Sequence, residues 1–140
     1  MKHKFLKFFL IIIVMFGFVA CKSKRSSDTD KAVKTAKELF FATYECNLNK
    51  IKELTTEKFY NTHYPYGDQE MEEMLKSVPE ERRKESIDQI KNNTTSEALM
   101  NKDGNMVTVV FHNEITGREF TMQLIDTDGN GKWKVNEYDY

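Results

Sequence analysis

Neither sign of charge dominates this chain. It carries 21 Lys and Arg against 22 Asp and Glu in 140 residues, so it lacks the basic surplus that marks a nucleic-acid binder. Histidine is scarce, with His3, His63 and His112 the whole supply. The motifs that announce common chemistries are missing as well: no HExxH, no GxSxG, no paired CxxC and no glycine loop of the phosphate-cradling kind. No internal repeat occurs, and no apolar run reaches the roughly 20 residues that a membrane-crossing helix needs. The length fits one compact domain.

What is present is unevenly spread. Fifteen of the 55 apolar residues lie in the first twenty positions, so the remaining 120 residues hold only 40. Lys2, Lys4 and Lys7 fall in the same segment, and without it the chain has 18 basic and 22 acidic residues, a formal charge of −4. A cationic stretch to Lys7, an apolar run from Phe8 to Ala20 and an immediate Cys21 follow the order of a cleaved export signal. The ending Phe18-Val19-Ala20-Cys21 resembles the lipobox of bacterial lipoproteins. That resemblance implies residues 1–20 as a lipoprotein signal peptide and Cys21 as the lipidation site, carrying acyl chains such as palmitate. Each buried methylene of those chains contributes about 0.8 kcal/mol, so the expected partner is the lipid bilayer, reached through Cys21. Residues 22–30, KSKRSSDTD, contain no apolar side chain and are expected, with Cys21, to form a flexible tether. By the same resemblance Lys22 is not the aspartate of inner-membrane retention, and an outer-membrane position facing the periplasm of the cell envelope is expected.

From residue 31 the pattern is helical. Ala32, Val33, Ala36, Leu39, Phe40 and Tyr44 recur at spacings of three and four, behind Asp28 and Asp30, whose charges suit a helix N-terminus. Asn47-Leu48-Asn49 breaks this helix. Short helical pieces follow around Ile51 to Leu54 and Thr56 to Tyr60, then an aromatic loop, His63-Tyr64-Pro65-Tyr66-Gly67. Asp68 is the expected N-cap of a third helix bearing Met71, Met74, Leu75 and Val78, and Pro79 opens a fourth, largely exposed one with Ile87 and Ile90.

After Thr94 the period drops to two. Val107, Val109 and Phe111 alternate with polar residues, as do Phe120, Met122 and Leu124, while Trp133 and Val135 share a face. A weaker strand is expected over 96–100, with turns at Asp103-Gly104, Thr116-Gly117 and Gly129-Asn130-Gly131. Helices followed by one-sided strands give an α+β fold, N-terminal helices packed on a curved antiparallel sheet of about four strands.

The long helix from Ala32 to Cys46, the break and short amphipathic turn, and a last hairpin reading Gly131-Lys132-Trp133-Lys134-Val135 resemble the nuclear-transport-factor-2-like, or cystatin-like, roll. Small bacterial lipoproteins with an uncharacterised domain of this shape are the most similar group. The resemblance implies a cone-shaped sheet closed by the long helix, which sometimes leaves an apolar pocket. It covers isomerases, hydratases, ligand carriers and dimerisation modules alike, so it decides no activity.

Two constellations stand out. Residues Asp126 to Glu137 fit the calcium-loop pattern, with Asp126, Asp128, Asn130, Lys132 through its carbonyl, and Glu137 in the ligand positions. A strand precedes this loop where a helix should stand, and the alternative is a hairpin turn built of Asp, Asn and Gly. Tyr44, Tyr60, His63, Tyr64 and Tyr66 could line the mouth of a pocket whose interior holds Phe111, Phe120 and Trp133; the alternative is an aromatic cluster that packs the helices. With Cys21 acylated, Cys46 has no disulfide partner and is expected as a small buried hydrophobe. Residues 31–140 therefore read as one roll domain of a non-catalytic lipoprotein. It would need no cofactor, would bind a small apolar ligand or an envelope protein, and could form a homodimer. An isomerase or hydrolase using the cone, and a calcium module, are the alternatives. The lipidation reading has a direct check: metabolic labelling with a fatty-acid probe is expected to mark the chain and to be abolished in Cys21→Ala, and label retained in that variant would remove it.

Overall fold

The computed structural model describes residues 22–139, so the signal segment and Cys21 lie outside the described residues. The described chain is α+β. Five helices come first, α1 Lys22–Tyr44, α2 Leu48–Leu54, α3 Glu57–His63, α4 Asp68–Ser77 and α5 Glu80–Asn93. Four strands follow, β1 Thr94–Met100, β2 Met106–Asn113, β3 Glu119–Ile125 and β4 Lys134–Asp139. They form an antiparallel meander in the order β1-β2-β3-β4, an open sheet in which the first and last strands do not meet.

Helix α1 lies against the inner face of this sheet. Ala32, Ala36, Leu39 and Ala42 form its fully covered stripe, one residue per turn at helical spacing, and three alanines on that stripe let the helix backbone come close to the strands. The opposing side chains are Val107, Val109 and Phe111 from β2, Met122 and Leu124 from β3 and Val135 from β4, all buried. The expected alternation of the strands is what the sheet displays; β1 runs two residues further back than expected, to Thr94.

Helix α1 departs from expectation at its start. Residues 22–30 are helical rather than a tether. Lack of apolar side chains shows only that a segment buries little, and Ser26, Ser27 and Asp30 are indeed exposed; no proline or glycine interrupts the segment, and an i,i+3 pair of Asp28 with Lys31 at 3.6 Å lies on it. Asp28 and Asp30 thus sit within the helix and not at its N-terminus.

The end of α1 is a two-bond C-terminal cap. Asn47 N–H donates to Ala42 O at 2.9 Å and Cys46 N–H to Thr43 O at 3.1 Å, with Cys46 in the left-handed region at φ 55°. Glycine normally occupies that place, and a cysteine there carries backbone strain. Asn47 then turns to a second task, accepting from Lys50 N–H at 3.1 Å to cap α2.

From α2 the chain crosses to the edge of β4. Thr55 forms a parallel bridge with Val135, Thr56 N–H donates to Val135 O at 2.9 Å, and the Thr56 hydroxyl donates to Asn136 Oδ1 at 3.0 Å while accepting from Phe59 N–H to cap α3. The register of β3 and β4 shifts between Gln123 and Leu124, pairing them with Glu137 and Val135; Asn136 is the extra residue this leaves in β4. Helix α4 begins at Asp68, but its N-cap is Gly67 at φ 34° with no side-chain cap, not Asp68. Pro79 occupies the N-cap position of α5, one place before the expected one, and α5 buries no residue, as its sequence indicates.

Because Leu124 is wholly buried and Ile115 is 70% exposed, Leu124→Ala is expected to lower unfolding stability by about 2–5 kcal/mol and Ile115→Ala by less than about 0.5 kcal/mol, as measured by urea denaturation.

Candidate functional site: an aromatic surface cleft

The aromatic residues singled out from sequence do not form one pocket. Phe111 and Trp133 are 2% and 4% exposed and belong to the core. Phe120, half-buried, joins a run of ring contacts with Phe40 at 5.1 Å, Phe111 at 6.3 Å and Tyr138 at 5.6 Å. The interior of the sheet is thus filled by the side chains expected to line it. Tyr44, at the end of α1, instead presents its carbonyl to Arg83 Nη1 at 3.0 Å, which satisfies one of the carbonyls left open at a helix C-terminus.

His63 belongs to a second surface. Its ring lies 4.4 Å from Phe59 and 4.4 Å from Tyr138, and with Lys58, Thr62, Asn136 and Glu137 it bounds a small opening of about 220 Å³. His112, the other histidine of the domain, faces Glu119 across β2 and β3 at 3.1 Å.

Tyr60 and Tyr64 stay together. One helical turn apart, they stack with centroids 5.7 Å apart and planes inclined by 20°. The Thr43 hydroxyl donates to Leu39 O at 2.9 Å, so in its 3.3 Å contact with the Tyr64 hydroxyl it is the acceptor, and Tyr64 is tied to α1. Lys52 Nζ lies 5.1 Å from the Tyr60 ring centre, in cation–π geometry. These residues form one wall of an open cleft of about 620 Å³ that also takes in Leu48, Asn61 and the turn Pro65-Tyr66-Gly67-Asp68-Gln69. A second opening, bounded by residues of the α1–α2 break, shares Leu48, Lys52 and Asp68 with it, so the two adjoin.

Of the cleft residues, sequence reasoning found the tyrosines and missed Leu48, Lys52, Asn61, Asp68 and Gln69. The available signal was the polar amides flanking the Tyr-Pro-Tyr-Gly turn, which periodicity does not weigh. Cys46 differs from expectation in position: it stands beyond α1, half-buried, with Arg83 Nη1 3.9 Å from its Sγ.

The Asp126–Glu137 segment takes the geometry of a hairpin. Asp126 spends both carboxylate oxygens on the loop backbone, accepting from Asn130 N–H at 3.2 Å and Gly131 N–H at 2.8 Å, and Asn130 Oδ1 accepts from Lys132 N–H. Glu137 stands in β4 and pairs with Lys58 of α3 at 2.8 Å. The hydrogen bond and charge of that ammonium hold the Glu137 carboxyl below the usual glutamate range. No three His, Cys, Asp or Glu among the described residues gather closely enough to hold a metal ion. The residues match the calcium pattern in order, but a strand, not a helix, enters the loop, and the position-twelve carboxylate is turned to another partner.

No family model, no curated protein and no solved structure matches the chain.

Terbium offered to the protein is expected to give no saturable emission on excitation of Trp133, since the carboxylates of Asp126 and Glu137 are already engaged. Saturable emission that disappears in Asp128→Ala would restore a calcium site.

Proposed function

We propose that this chain is a bacterial envelope lipoprotein, held by acylated Cys21 at the outer membrane and facing the periplasm, whose α+β domain is a non-catalytic binding or scaffold module of the nuclear-transport-factor-2-like kind. The observation that carries the reading is the filled interior. Phe111, Met122, Leu124, Trp133 and Val135 are each at most 4% exposed, which supports recognition at the outer surface, at the cleft beside Tyr60 and Tyr64. The order of elements, a long helix, a break, short helices and a meander ending in Trp133 and Val135, supports the family assignment. No described helix is long and apolar enough to cross a membrane; what supports a lipid anchor is the lipobox-like ending Phe18-Val19-Ala20-Cys21.

In density-gradient fractionation the chain is expected in the outer-membrane fraction, and added protease is expected to spare it in intact cells and to digest it once the outer membrane is opened. Recovery with the inner membrane, or digestion in intact cells, would overturn the placement.

A further inference from the structure

Tyr66 is 70% exposed, level with Ile115 as the most exposed large hydrophobic among the described residues. Unlike Ile115, it stands in a concave place. The turn that carries it is held on both sides: Gly67 N–H donates to Tyr64 O at 3.1 Å, and Gln69 N–H donates to Tyr66 O at 2.9 Å. Gly67 takes a φ of 34°, which side chains rarely adopt, and a Cβ there would lie 3.0 Å from the Tyr60 hydroxyl, a tight contact. A phenol ring is therefore exposed to solvent, from a turn held by backbone hydrogen bonds, at a cleft that the stacked Tyr60–Tyr64 pair also lines.

Around that ring stand groups of a different kind. The side chains of Asn61, Asp68 and Gln69 line the same cleft and make no hydrogen bond or ion pair among the described residues. Two amides and a carboxylate offer both donors and acceptors. An apolar ligand would bury these groups unpaired, at a cost comparable to a lost hydrogen bond each. A phosphorylated ligand finds one cation in the cleft, Lys52, whose ammonium already lies on the Tyr60 ring, with Asp68 close by and a domain of net negative charge around it. The ligand that fits is uncharged, has a flat C–H face for the negative face of a phenol ring, and carries hydroxyl groups around its edge for the amides and the carboxylate. A pyranose ring has that construction. The adjoining opening past Leu48 and Lys52 extends the groove beyond one ring.

We propose that this cleft binds a neutral saccharide chain, with Tyr66 as the stacking platform and Asn61, Asp68 and Gln69 as its hydrogen-bonding groups. The proposal rests on the reading of the domain as a binding module and names the class of ligand it takes. An open cleft that stacks one ring and satisfies a few hydroxyls binds weakly, with a Kd on the order of millimolar, which decides how to look for it.

Saturation-transfer difference NMR reads such weak contacts. The full-length lipidated chain, in a detergent without sugar headgroups, is presented with chitotriose and, separately, with cellotriose. Transfer is expected to the ring C–H protons of at least one trisaccharide. It should fall about fivefold or more in Tyr66→Ala, fall likewise in Asn61→Ala, and be unchanged in Ile115→Ala, which carries an equally exposed side chain elsewhere. Transfer to chitotriose alone identifies an acetamido sugar as the source; transfer to both identifies the ring face itself. No transfer to either trisaccharide from protein with wild-type circular dichroism, or transfer undiminished in Tyr66→Ala, overturns the proposal. The same measurement on Cys21→Ala, which lacks the anchor, is expected to match wild type, so a failure of saccharide binding and a failure of membrane attachment are read separately.

Discussion

One face of a four-stranded sheet has to be covered by a single long helix, and the rest of the architecture follows from how close that helix can come. Ala32, Ala36 and Ala42 remove bulk from α1 where it meets the strands, leaving Leu39 as the only large side chain on its buried stripe. The volume between the layers is then taken by the strands' own side chains, Val107, Val109, Phe111, Met122, Leu124 and Val135, and by Trp133 just ahead of β4. A close helix and a filled interior are one choice. A larger residue at Ala36 would push the helix off the sheet, and a smaller one at Phe111 would open the cavity that roll-shaped domains sometimes carry. The outer surface is where this chain keeps its unusual chemistry because the inner one has been used for stability.

The break after α1 transmits that constraint to the cleft. Cys46 accepts a left-handed backbone that a glycine would take without strain, and in exchange Asn47 is placed both to close α1 and to cap α2. Helix α2 leads directly to Thr55 and Thr56, which are bonded to Val135 and Asn136 at the free edge of β4. That bond pattern covers a strand edge that would otherwise offer unpaired backbone groups, and it also sets the position of α3. Tyr60 and Tyr64 extend from α3, so the aromatic wall of the cleft is fixed by contacts 80 residues away in sequence.

Much of this was legible before any coordinates. The period-two strands, their Gly-containing turns and the helical spacing of Ala32, Ala36 and Leu39 are local signals, each carried by neighbours a few residues apart, and they reproduce the α+β order of elements. What misled was non-local or was the wrong inference from composition. The lack of apolar residues over 22–30 measures burial and not backbone conformation, which is helical there. Asp68 resembles an N-cap by type, but Gly67 holds the place at φ 34°, a backbone that side chains rarely adopt. The eight aromatic pocket candidates share a residue class and not one surface, since strand alternation sends Phe111 inward while the turn after α3 leaves Tyr66 exposed. At the calcium-like loop one set of residues carries two readings: Asp126 and Asn130 make the hydrogen bonds a tight hairpin needs, and those are the same residue types that chelate a hard cation.

The extent of α1 bears on how the domain would meet a membrane. If acyl chains are attached at Cys21, the helix, described from Lys22 onward, carries the chain to Ala32, the first of the described residues that is buried: ten residues at about 1.5 Å each, or roughly 15 Å. A flexible tether of the same number of residues would let the domain sample many orientations; a helix continuous with the one that organises the core couples the domain's orientation to that of the anchor. The α3–α4 turn that carries Tyr66 is held to α1 through the bond of Tyr64 to Thr43, so the cleft would keep a set bearing relative to the bilayer. Were the domain a weakly binding module at such a surface, this would matter more than affinity, because a fixed orientation raises the effective concentration of ligands displayed along that surface.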